Sequence, residues 1–126
     1  MYLFLSSSDC VDTHPDNNAL DFTIDLLPFL DLKGKWECGL LEIEYKPSKK
    51  DMFLYCDLCD SSYVQGNYLP LLRFVKKCEI YEYPLFIPIS REVVSHIRVY
   101  IRDAQGNIPS FSVQDLRCTL EIRKTR

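Results

Sequence analysis

Six cysteines and two histidines carry most of the reactive chemistry available to this chain. Cys56 and Cys59, in the stretch "MFLYCDLCD", stand three apart, the spacing of a zinc knuckle or of a dithiol redox pair. A structural zinc site takes two such ligand pairs, and the chain offers neither a second C-x-x-C nor an H-x-x-x-H. Cys10, Cys38, Cys78 and Cys118 are scattered, mostly at inward strand positions. Residues three apart on a strand face opposite sides, so Cys56 and Cys59 reach one metal only if the strand ends between them. "DSS" (60–62) follows at once and leaves that arrangement open. A thioredoxin-like pair opens a helix beside a βαβ unit, and no such unit is legible. His14 reads as a turn residue and His96 as a strand-edge residue, without the several histidines of a cupin-type metal centre. No G-x-S-x-G is present, and the pairs Asp21/Asp25 and Glu42/Glu44 alternate with apolar residues as a wet face does. The expectation is a protein that is not an enzyme, with no catalytic, cofactor-binding or metal residues and no cofactor.

The elements that would position these residues are strands. Leu20, Phe22, Ile24 and Leu26 share one face of "LDFTIDL", with Asp21, Thr23 and Asp25 on the other. Ile97, Val99 and Ile101 oppose Arg98, Tyr100 and Arg102; Leu116, Cys118, Leu120 and Ile122 oppose Arg117, Thr119, Glu121 and Arg123. In 35–45 the period flips phase: Trp36, Cys38 and Leu40 alternate, then Leu41, Ile43 and Tyr45, which predicts a β-bulge or bend beside Gly39. Further strands are expected at 2–6, 52–58, 70–76, 78–83 and 85–89, and "SREVVSHI" (90–97) is the best helical fragment. Turn signals stand at 14–18, 31–34, 46–50, 65–67 and 104–107. Short strands with turns every 8–12 residues predict an all-β antiparallel β-sandwich or small barrel.

With 126 residues the chain makes one domain, 1–126. Aromatic residues are 13% of it, including eight Tyr and seven Phe, a composition that favours pleated sheet. A net charge of −3 is unsuited to phosphate backbones, so no nucleic-acid partner is expected, and the basic runs 46–50 and 123–126 read as solvated ends. "MYLFLSSSD" has only five apolar residues and no basic flank, which predicts neither signal peptide nor membrane span. The cysteines then meet a reducing compartment and stay free, packing as small hydrophobes.

The order "WECGLLEIEY", "FLYCDL", "LPLLRFV", "IPISREVVSHIRVYIRDAQGNIPSFSVQDLRCTLEIRK" resembles a family of proteins carried by Polinton (Maverick) elements and adintoviruses. The opening "YLFL", then "HPDNNALDFTIDL" leading into "LKGKW", is similar too. The most specific matches are Gly39-Leu40 with Glu42-Ile43, Tyr55-Cys56-Asp57-Leu58, Pro70-Leu71-Leu72-Arg73, and Ile101-Arg102-Asp103 followed by Gly106 and Pro109. The resemblance implies a single jelly roll acting as the minor capsid (penton) protein at icosahedral vertices. Its implied partners are four further copies in a homopentamer and a major capsid protein of double-jelly-roll type. Its implied place is the virion, after synthesis in the host cytoplasm or nucleus. The family's long segment between the "EIEY"-like and "YCDL"-like strands is reduced here to 46–52. That predicts either a trimmed sandwich or a sheet edge completed by a neighbouring chain. Tyr, Trp and Arg anchor such interfaces, which makes Tyr81, Tyr83, Arg98, Tyr100 and Arg102 the interface candidates. The alternative is a lectin-like or host-recognition module binding a ligand or receptor through 14–18, 60–68 and 103–107.

Overall fold

The computed structural model describes all 126 residues, which form strands and connections and no helix. One sheet runs β1 (Tyr2–Ser6), β11 (Gln114–Lys124), β3 (Trp36–Lys46), with β8 (Glu79–Ile80) and β9 (Phe86–Pro88) sharing the place beyond β3. The other runs β2 (Asp21–Asp31), β10 (Val93–Asp103), β4 (Lys49–Cys56), β7 (Leu71–Lys77). A hairpin of β5 (Ser62–Val64) and β6 (Asn67–Leu69) stands apart, and every pairing is antiparallel. The chain passes back and forth between the two sheets, and this strand order is that of a jelly-roll sandwich.

Alternation sets which faces meet. Phe22 and Ile24, Leu54 and Cys56, Ile97, Val99 and Ile101, and Leu116, Cys118, Leu120 and Ile122 are all buried in one core with Cys38, Leu40, Ile43 and Tyr45. The phase flip in β3 is a bulge: Glu42 pairs with Thr119 and Leu40 with Leu120, so Leu41 is the extra residue. Gly39 is required beside it, because a Cβ there would stand 2.9 Å from the Phe86 ring and 3.1 Å from the Leu85 carbonyl oxygen.

Two expectations are corrected. The short 46–52 connection removes no strand: β3 turns into β4 through Pro47 and Ser48, and each sheet has all four of its places filled. The 90–97 fragment is not helical; β10 begins at Val93. Its register on β2 shifts between Val94 and His96, where four β2 residues loop out opposite Ser95, and Val94 and Ile97 are both buried. A bulge places apolar residues three apart on one face, which imitates the spacing of a helix.

The β5–β6 hairpin turns through Gln65 and Gly66, both at positive φ (48° and 91°), as a type I′ turn demands. Gln65 Nε2 donates to the Ala104 carbonyl at 2.7 Å, tying the hairpin tip to the turn after β10. Val64 and Tyr55 are both buried yet stand outside the sandwich core, so the second sheet carries a small buried layer on its outer side.

Candidate interaction surfaces and a buried thiol cluster

Arg98, Tyr100 and Arg102 occupy the outer face of β10, as their phase requires. They form a stack rather than a free patch. Tyr100 lies on Tyr55, its cross-strand neighbour, with ring centroids 4.9 Å apart and planes 19° apart. The Arg98 and Arg102 guanidinium groups sit 4.5 and 4.9 Å from the Tyr100 centroid, within cation–π range. Arg98 also forks onto Asp21 through Nε (2.9 Å) and Nη2 (2.6 Å). Burial raises the Tyr100 hydroxyl pKa, against the opposing pull of the two arginines. Tyr55 is fully buried beneath, and its hydroxyl has no hydrogen-bond partner. Tyr81 is likewise engaged, its ring 3.8 Å below the Arg73 guanidinium at the mouth between β7 and β8. Of the five candidates only Tyr83 stands clear of the fold, 81% exposed.

Tyr83 belongs to a larger feature that the sequence reading missed. Ile80 and Leu85 are exposed beside it, so the β8–β9 edge carries three bare apolar side chains. The β2 edge carries its own set. Between the Asp25–His96 and Leu30–Val94 pairs, β2 loops out Leu26, Leu27, Pro28 and Phe29 opposite the single residue Ser95. Leu27 is 86% exposed and Phe29 59%, with Val93 exposed nearby on β10. Strand order puts β2 at one end of its sheet and β7 at the other. The Arg73–Tyr81 contact brings the β8–β9 edge beside β7, while the 7–20 connection ties β1 to β2 through Asn17, which bonds Asp9 and Thr23. The two apolar edges therefore lie on opposite sides of the sandwich. Both are poor templates for strand addition, since β8 has two residues and β2 is interrupted by its looped-out Pro28.

The histidines converge more than their sequence surroundings suggest. His14 Nε2 lies 2.9 Å from Asp25 Oδ1, Thr13 donates to Oδ2 at 2.9 Å, and His96 is the cross-strand partner of Asp25. These contacts, the His14 hydrogen bond first, hold the Asp25 carboxyl below 3.8. No group of three Cys, His, Asp or Glu side chains has a metal-holding arrangement.

The cysteines also meet. β4 ends at Cys56, and a turn closed by Cys59 N–H donating to the Cys56 carbonyl (3.0 Å) sends both side chains inward. Strand parity therefore does not separate them. Cys59 bridges Ile89, two residues from Ile87, which pairs with Cys38. The neighbouring Cys38 and Cys56 thiols, then burial, push the Cys59 thiol far above its usual range, and burial pushes the Cys118 thiol well up. All six cysteines are free.

No protein-family model, curated protein or solved structure matches this chain. No helix is long and apolar enough to cross a membrane.

Proposed function

We propose that this protein is a non-enzymatic shell subunit that closes into a homo-oligomeric ring, five-membered at an icosahedral vertex, as a minor capsid component of the virion. The observation that carries the reading is the pair of bare apolar edges on opposite sides of one jelly-roll sandwich. Surfaces that differ and lie on opposite sides make heterologous head-to-tail contacts, and those close into rings when the rotation per subunit permits. Leu27 and Phe29 of one subunit then pack on Ile80, Tyr83 and Leu85 of the next. The resemblance to the penton proteins of Polintons and adintoviruses supports the count of five and a double-jelly-roll major capsid protein as the outer neighbour. Within this reading the Arg98–Tyr100–Arg102 stack stiffens the second sheet, and Tyr83 is the retained interface residue.

The test is the solution mass of the purified chain by light scattering across a sizing column. A peak near five times 14.8 kDa supports the reading, and a monomer at every concentration overturns self-assembly. A second reading has its own observation: Tyr63 and Tyr68 face each other across the hairpin, centroids 5.7 Å apart and both exposed, where an aromatic surface for a sugar or host protein would stand. A monomer whose saturable glycan binding is lost in Tyr68→Ala would favour that ligand-binding role.

A further inference from the structure

β1 is the edge that the fold leaves open. It ends the first sheet and pairs with β11 alone. The register decides which of its peptide groups are used. Ile122 N–H donates to the Met1 carbonyl (2.8 Å) and Ser7 N–H to the Leu116 carbonyl (2.9 Å), so the odd residues of β1 bond β11. The N–H and C=O groups of Tyr2, Phe4 and Ser6 therefore point away from the sheet. Ser6 is closed by its own turn: its N–H donates to Asp9 Oδ2 (3.1 Å) and its carbonyl accepts from Asp9 N–H (3.0 Å). Tyr2 and Phe4 keep four bare main-chain groups, and their side chains are 57% and 76% exposed. The protections usual at a free edge stand elsewhere: β2 is interrupted at Pro28, β8 has two residues, and β7 ends in Lys76 and Lys77. The β1 segment "YLFLS" has no charge, no proline and no bulge.

We infer that β1 is a self-docking edge: two copies of this chain pair β1 against β1 about a two-fold axis and join their first sheets into one. One antiparallel register uses every free group. Tyr2 opposes Phe4 of the second copy and exchanges both hydrogen bonds with it, and the two-fold repeats the exchange. Leu3 then meets Leu3 of the second copy on the axis. A two-residue slip one way calls on Ser6, which is already bonded, and the other way sets Phe4 against no residue of β1. A second copy suits this edge by charge, since β1 brings no charged residue to the axis, and by side chain, since Tyr2 meets Phe4 twice. The area is small. Aromatic side chains bury about 150 to 250 Å² each, so the exposed parts of these four rings offer about 400 to 650 Å², short of the ~1,200 Å² at which stable interfaces begin. The pairing is therefore a weak contact of concentrated protein. It stands on the sheet edge and does not depend on the ring reading.

The test uses the full-length chain carrying Leu27→Ser/Phe29→Ser, which strips the β2 edge and leaves β1 intact. Sedimentation equilibrium from about 10 μM to about 1 mM should show the mean mass rising from 14.8 kDa towards twice that value. Adding Phe4→Pro removes an N–H that no bond within the monomer uses, so the mass should stay at 14.8 kDa while the melting temperature holds within about 3 °C. Cross-linking reads the register without relying on that variant's folding. Leu3→Cys sets two thiols on the axis, in a non-hydrogen-bonded pair with Cα atoms about 4.5 Å apart, so mild oxidation should give a dimer mapped to position 3. Tyr2→Cys sets its thiols on a diagonal about 7 to 8 Å apart and should give none. Three results overturn the inference: 14.8 kDa at every concentration, self-association that a folded Phe4→Pro chain retains in full, or Tyr2→Cys cross-linking as readily as Leu3→Cys. None of them bears on the ring, whose β2 contact is already absent from these chains.

Discussion

Assembly through the two edges predicts a specific pattern of failure. Leu27→Ser/Phe29→Ser strips one edge, and Ile80→Ser/Tyr83→Ser strips the other. Full burial of a large apolar side chain is worth about 1.5 to 3 kcal/mol. Leu27 and Phe29 begin 86% and 59% exposed, so most of that gain is still available at a subunit contact. Losing it on both residues should weaken each contact by about 2 to 4 kcal/mol, or about 30- to 700-fold in dissociation constant. The monomer itself should be untouched, because these side chains bury little in it; melting should shift by no more than about 0.5 kcal/mol equivalent. Sedimentation velocity at matched concentrations reads the outcome. Each double mutant alone should be monomeric where the unmodified chain is a ring. Mixed one to one, they should form dimers and stop, since the mixture retains one intact edge of each kind per pair of subunits. Undiminished assembly by both mutants would refute the edge-to-edge contact. A mixture that yields full rings, or nothing beyond monomer while the unmodified chain assembles, would refute its head-to-tail polarity.

Three further outcomes follow from the packing. Gly39→Ala should destabilise by about 1 to 3 kcal/mol, read by urea unfolding, because the new Cβ would meet the Phe86 ring at 2.9 Å while Arg123 packs on that ring at 3.4 Å; an unchanged midpoint would mean the β9 segment shifts freely. Tyr55→Phe should be neutral or stabilising by up to about 1 kcal/mol, since the buried hydroxyl it removes has no partner; a loss above about 1 kcal/mol would reveal a bond to that oxygen. Asp25 should titrate below 3.8 by carbon NMR of its carboxyl, and His14→Ala should move the midpoint upward. As a depressed carboxyl, its stabilising effect is present above 3.8 and is lost as pH falls through the lower folded value. A midpoint at or above 3.8 would show that the His14 and Thr13 contacts do not persist in solution.

Period-two patterning made the sandwich legible because strands such as β10 and β11 have one buried and one wetter face. β10 and β11 expose residues in the phases that their sequences announce, and even the β3 bulge is visible as a phase flip. The same device misled at 90–97, where the irregular register on β2 at Ser95 leaves Val94 and Ile97, three apart, both buried. The β5–β6 strands have three residues each, too few for any period to register, and only the turn between them was readable. The shortened 46–52 segment suggested missing strands. What it lacks is connection length: Lys49 already belongs to β4.

Sites were harder to read than strands for a physical reason. Alternation decides whether a side chain points in or out, and it says nothing about which inward or outward residues become neighbours across strands. Arg98, Tyr100 and Arg102 were correctly placed outward, yet Asp21 and Tyr55, which occupy them, come from other strands. His14 and His96 lie 82 positions apart, and only the antiparallel register of β10 on β2 sets His96 opposite the carboxylate that His14 binds (96 − 14 = 82). The thiols carry the same lesson further. Parity correctly forbids two residues three apart from sharing a face within a strand, but β4 ends at Cys56, so the rule applies to the wrong element. Once the chain turns at 57–59, residues 86–89 run between β3 and the 58–60 segment, pairing Ile87 with Cys38 on one edge and Ile89 with Cys59 on the other. That Cys38, Cys56 and Cys59 are buried in one core is therefore a property of the topology, which strand parity alone does not announce.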